Sequence, residues 1–206
     1  MGLMSSEKAG GGGFEPVPQG THIARCVTVV DLGVQQSPWG AKEQVYLGFE
    51  VPAVRVEWEK DGVKQSGPAL IGATWTNNLY EDANLGKNLI SWRGRPFTAE
   101  EKKGFDLFDL LGVPCMLSVV HNVANNGKTY ANIASIMGMP AGTTAPKAEG
   151  ELVGYTATDP AYSGTLEKLP EWLKTKALAG QGAVAASPED EYNQMPPDDI
   201  DSSIPF

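Results

Sequence analysis

Two dipeptides, Asp61-Gly62 and Asn126-Gly127, constrain the fold of this chain more than any other feature. Each supplies the residues of a tight positive-φ turn and lies between β-rich runs, so each predicts an antiparallel hairpin. The first joins residues 54–59 to 63–76, and the second joins 115–120 to 129–136. Upstream, residues 21–30 are β-rich, and 33–41, with Pro38, Trp39 and Gly40, predict a long loop. Residues 43–56 then resume a strand pattern, with Val45, Leu47, Phe49 and Val51 at alternate positions.

Between the hairpins the period changes. Leu85, Leu89, Ile90 and Trp92 predict a short helix. Thr98 and Glu101 have the spacing of a capping box for a second, which would bury Phe105, Phe108 and Leu111, or Leu107 and Leu111, before Gly112-Val113-Pro114 stops it. Three strands, a helical insert and two strands is the order of an OB-fold. The predicted class is therefore mainly β, a five-stranded Greek-key barrel with a helical insert between strands 3 and 4 and disordered termini. Periodicity does not establish barrel closure, and a small open sheet backed by helices is the alternative. Residues 1–19, rich in Gly, Ser and Pro, read as a flexible leader, 20–140 as the barrel domain and 141–165 as a linker. In 166–178, apolar residues at 166, 169 and 173 with Pro170 at the first turn predict a short amphipathic helix. It would pack back on the barrel or meet a partner. Residues 179–206 read as a disordered acidic tail.

The chain has 206 residues and a formal charge of −9, of which six belong to Glu189, Asp190, Glu191, Asp198, Asp199 and Asp201; the body before the tail carries −3. A nearly balanced body admits a local basic track for a phosphate backbone, with modest, salt-sensitive affinity. Cys26 and Cys115 lie far apart and the histidines are His22 and His121, which argues against a zinc site and for two reduced core thiols. No cofactor is implied. The start lacks the apolar stretch of a signal peptide and no window reaches membrane-spanning length, so no membrane association and a cytoplasmic location are expected. The acidic cluster lies in the flexible tail rather than on a rigid two-metal frame. With no phosphate-cradling glycine loop or His nucleophile-base pair, an enzyme is not expected.

A single-strand binder needs aromatic faces for bases and cations along the backbone, and OB-folds supply both from strands 2–3 and the flanking loops. Trp39 and Lys42 form one expected rim, and Lys128 and Tyr130, with His121 and Asn122 on the facing strand, form the other. Tyr46 should face outward if Val45, Leu47 and Phe49 face the core. Trp75, at the end of strand 3, could extend that surface. Arg25 is a further candidate, although its parity with Ile23, Val27 and Val29 points it inward unless a bulge intervenes. The Trp92-Arg93-Gly94-Arg95-Pro96-Phe97 cluster reads as a brace, its arginines paired with Glu100 or Glu101.

The chain ends in Asp198-Asp199-Ile200-Asp201-Ser202-Ser203-Ile204-Pro205-Phe206. Solubility explains the aspartates but not an apolar tripeptide at the end of an acidic segment. A receptor could pocket Ile204, Pro205 and Phe206 and hold the terminal carboxylate, while Asp198, Asp199 and Asp201 raise the encounter rate. This tip resembles the one that ends bacterial and phage single-stranded DNA-binding proteins. The stretch 85–111, including Trp92-Arg93-Gly94-Arg95-Pro96-Phe97-Thr98 and Gly104-Phe105-Asp106, is similar to phage proteins of that kind. It departs from the cellular type in its long helical insert and its 166–178 segment, so the familiar homotetramer does not follow, and a homo-oligomer is left open. The resemblance implies a DNA-binding protein that coats single strands during phage replication or recombination, in the host cytoplasm if phage-encoded. Its tip would recruit replication, recombination or repair proteins. An adaptor that uses the tip to occupy a host docking pocket, with little DNA binding, is the competing reading.

Overall fold

The computed structural model describes residues 15–37, 40–60, 62–125 and 127–181. The chain is mainly β. Strands β1 (Gly20–Ser37), β2 (Gly40–Lys60), β3 (Val63–Thr76), β4 (Pro114–Val123) and β5 (Thr129–Met137) form an antiparallel sheet in the order β3-β2-β1-β4-β5. Both hairpins form at the glycine turns, closed by the pairs Lys60↔Val63 and Val123↔Thr129. Gly62 and Gly127 take φ values of 76° and 75°, the left-handed region that a side chain disfavours.

Residues 33–41, expected as a long loop, are strand on both sides of positions 38–39, with the ladder running from Val34↔Glu43 to Ser37↔Gly40. The glycine signal marks a bulge instead of an end. Gly33 (φ 61°) lies in the register shift between Asp31 and Val34, and its N–H donates to Asp31 Oδ1 at 2.9 Å. A second shift, between Cys26 and Thr28, divides β1. Its first part, Gly20 to Arg25, pairs with β4, whereas Thr28, Val29 and Val30 pair in parallel with a short strand β6 (Val153–Tyr155). β6 and the one-turn helix α2 (Pro160–Ser163) fall in the stretch expected to be linker.

Helix α1 (Asn84–Arg93) forms where the period predicts it, buries Leu85, Leu89 and Trp92, and stops at Gly94, whose N–H donates to the Ile90 carbonyl at 2.9 Å. The second expected helix is replaced by two 3-10 turns, Glu101–Lys103 and Leu107–Leu110. The capping box itself is present: the Glu101 N–H donates to Thr98 Oγ1 at 3.2 Å and the Thr98 N–H to Glu101 Oε2 at 2.9 Å. Gly104, a poor helix former, is extended after one turn, and Asp106 starts the next turn by accepting from the Phe108 N–H at 2.8 Å.

The main core gathers Leu47, Phe49, Leu85, Leu89, Leu117 and Ile136, all fully buried. The sheet curls so that β3 and β5 approach each other with α1 against both, and no ladder among the described residues joins them. A second cluster lies on the other side of β1, where Val30, Leu32 and Tyr155 meet Leu169, Leu173 and Ala177 of the segment that ends in α3 (Glu171–Gly180). The amphipathic helix thus packs back on the sheet. Burying Leu169 and Leu173 contributes roughly 1.5–3 kcal/mol each.

Cys26 and Cys115 are free and buried. Burial pushes the Cys26 thiol up to about 12 and raises Cys115 as well, so little thiolate exists at pH 8. An aromatic disulfide reagent is therefore expected to label the native protein far more slowly than the urea-unfolded chain. Equal labelling rates would show that the core is open.

Candidate nucleic-acid interface

The β2–β3 hairpin and β5 enclose a cleft of about 1480 Å³ whose lining includes Trp58, Leu70, Lys128, Tyr130, Tyr46 and Trp172. Its apolar groups are not hidden: Trp58 is 36% exposed, Tyr130 49%, Trp172 56% and Leu70 71%. Several exposed large apolar side chains in one concavity mark a surface built to contact something.

Glycines shape the aromatic platform. Trp58 lies over Gly67 of the facing strand, where an added Cβ would come within 2.8 Å of the indole. Tyr46 faces away from the side of Val45 and Leu47, as alternation predicts, and rests on Gly48 and Gly72, which are directly paired across β2 and β3. A Cβ at Gly72 would sit 2.1 Å from the Tyr46 hydroxyl, and one at Gly48 would sit 3.1 Å from its ring. Trp172 of α3 packs its ring against Tyr46 with centroids 5.4 Å apart and planes at 80°. Burial pushes the Tyr46 hydroxyl up to about 12, which keeps it neutral.

The other expected site residues separate into four groups. Lys128 and Tyr130 line the cleft. Lys42, opposite Gln35 near the far end of β1 and β2, is half-buried and is not part of the lining. Trp39 and the tip residues Asp198, Asp199, Asp201, Ile204, Pro205 and Phe206 lie outside the described residues.

Trp75 and Arg25 require correction as base- or phosphate-contacting groups. Trp75 is directly paired with Val45, shares the inward face of Ile71 and is 9% exposed within the main core, so no base can stack on it. Arg25 is a structural clamp: its guanidinium donates to the Gly112 carbonyl and to the carbonyls of Pro146 (2.9 and 2.7 Å) and Ala145 (3.3 Å). Glu50, paired with Arg25 across β1 and β2 and 1% exposed, holds the same segment by accepting the N–H groups of Glu149 and Gly150, each at 2.9 Å. His121 is similarly occupied, with Nε2 2.8 Å from the Val17 carbonyl.

No known family model matches the chain, and no curated protein matches it. The chemistry of the cleft rests on its own geometry. Its charged lining residues are Glu15, Glu59 and Lys128, so the cleft lining offers aromatic faces rather than a basic track. Among the described residues no cluster of three His, Cys, Asp or Glu side chains could hold a metal ion. No helix among them is long and apolar enough to cross a membrane.

The arginine and aromatic cluster after α1 is a brace, as its sequence suggests. Trp92 and Phe97 are buried, and Arg93 lies 4.3 Å from the Phe97 centroid and 5.1 Å from that of Phe105. Glu101 pairs with Arg93 and takes a two-point contact from Arg95 at 2.7 and 3.0 Å. Arg95, the Thr98 N–H and Arg93 hold its carboxyl well below the ordinary value near 4.5. A carboxyl lowered in the fold stabilises above its unfolded pKa, and that contribution is lost as pH falls through the folded value. Stability should therefore drop as pH falls below about 4.5, and Glu101→Gln should flatten that part of a urea-midpoint profile. An unchanged slope would assign acid sensitivity to other carboxyls.

Sequence reasoning did not place Trp172 in the cleft, and it missed Trp58 altogether. Its position close to the Asp61-Gly62 turn, with Gly67 to receive the ring, was the available signal.

Proposed function

We propose that this chain binds single-stranded DNA without strong sequence preference by stacking bases in the cleft between the β2–β3 hairpin and β5. The observation that carries this reading is the exposure of Trp58 and Tyr130 on one concave surface with Lys128 beside them. Every base has a π-face, so aromatic platforms bind single strands with little regard to sequence, whereas a duplex keeps its faces stacked. The strand order, with β1 joined to both β2 and β4 and β3 curling toward β5, supports an OB-type barrel as the scaffold. In this proposal the protein coats strands exposed in phage replication or recombination, and residues 198–206 recruit partner enzymes. The adaptor reading draws on the two carboxylates, Glu15 and Glu59, around a cleft with one lining lysine.

Tryptophan fluorescence of the full chain, titrated with oligo-dT and with a duplex of equal length, separates the two. Quenching by the single strand with little response to the duplex is expected. Because stacking dominates the lining, log K should fall shallowly with log salt, at about 0.7 per neutralised phosphate. No response at low salt, before and after removal of residues 198–206, would leave the adaptor reading in possession.

A further inference from the structure

We propose that Trp172 is a base-stacking residue of the cleft, supplied by the C-terminal helix α3, so that strand binding and docking of α3 on the sheet are thermodynamically linked. This rests on the single-strand reading above and adds a residue and a regulation to that site.

Docking of α3 is accounted for without Trp172. Leu169, Leu173 and Ala177, spaced four apart, are each 5% exposed or less and fill the pocket formed by Val30, Leu32 and Tyr155. At the end of the helix Gly180 meets the β1 bulge so closely that a Cβ there would lie 1.8 Å from the Leu32 carbonyl oxygen. Gln35 Nε2 donates to the Lys176 carbonyl at 3.0 Å, which closes the same contact. Trp172 stands off this stripe, 56% exposed, in the lining that also holds Tyr130 and Trp58. A large aromatic that keeps more than half of its surface exposed on a docked helix faces the surface where bases are proposed to stack.

The ring is also held in place. The Gly48 and Gly72 pair leaves room for Tyr46 to lie on the sheet, and Tyr46 in turn meets the Trp172 ring at 80°. A T-shaped contact of this kind fixes one ring against the other and leaves a face available. Tyr46 is thus a positioning residue, and Trp172 presents the stacking surface.

Linkage follows because a strand that reaches Trp172 binds the docked state more tightly than the undocked one. A strand that gains tenfold to a hundredfold in affinity from Trp172 shifts the docking equilibrium toward the docked state by about 9-fold to 50-fold at one hundred times its dissociation constant. Bound strand should therefore slow local opening of α3.

The test uses the full chain and a fluorescein-labelled dT oligomer, read by anisotropy. Trp172→Ala is expected to weaken binding about tenfold to a hundredfold with an unchanged circular dichroism spectrum and a thermal midpoint lowered only slightly by loss of the Tyr46 contact, and Trp172→Phe to recover most of the binding. Hydrogen exchange of the amides of residues 173–180 should slow in wild type on adding saturating dT and should respond less in Trp172→Ala. Wild-type binding with Trp172→Ala as tight or tighter, or exchange in α3 that dT leaves unchanged, overturns this proposal while the single-strand reading stands. Silence of the wild type toward dT overturns both.

Discussion

Phe49→Ala is expected to destabilise the protein by about 3–5 kcal/mol, the range for emptying a buried aromatic site. Phe49 is fully buried on β2, where it is paired with Cys26 of β1 on one side and Ile71 of β3 on the other. Its ring lies 5.8 Å from that of Trp92, so it joins the middle of the sheet to α1. Strands on both sides limit how far the backbone can collapse into the cavity, which places the cost toward the upper part of the range. Urea unfolding of Phe49→Ala and Phe49→Leu beside wild type measures this. A loss under about 1 kcal/mol in the alanine variant would mean that the core refills the site.

The double variant Trp58→Ala, Tyr130→Ala should abolish most single-strand affinity while sparing the fold. Stacking on one aromatic contributes about 1–3 kcal/mol, so the loss of two corresponds to roughly thirtyfold or more. Trp58 and Tyr130 are 36% and 49% exposed, and the main core is built without either of them. The thermal midpoint should consequently move little compared with Phe49→Ala. Anisotropy with labelled dT, alongside a thermal melt, reads both quantities on one preparation. Unaltered affinity would locate any DNA surface elsewhere on the chain, and a large fall in midpoint would make the two rings part of the core.

Local chemistry was legible in the chain because its partners lie within a few residues. The Asp61-Gly62 and Asn126-Gly127 hairpins, the capping box between Thr98 and Glu101, the brace of Arg93 and Arg95 on Glu101, and the outward parity of Tyr46 all depend on short spacings. The acidic tip ending in Ile204-Pro205-Phe206 is likewise a statement of sequence alone.

What an exposed ring or a charged group actually meets depended on distant segments. Arg25 looked available for a phosphate, but the Pro146 carbonyl, 121 residues away, takes it. Trp75 looked like an extension of the surface, yet curling of the sheet encloses it with Val45 and Ile71. The three-residue strand β6 has no periodicity to announce it; it forms because the bulge after Cys26 separates the half of β1 that pairs with β4 from the half that receives β6. The cleft itself exists only where the β2–β3 hairpin, β5 and α3 come together, bringing Trp58, Tyr130 and Trp172 to one lining. Turns, alternation and caps are set by neighbours along the chain, which is why the hairpins, the first helix and the side of β2 that Tyr46 takes could be read from it. Burial and juxtaposition are set by contacts across the sheet, so which aromatics share the cleft and which charges hold the fold together emerge from folding alone.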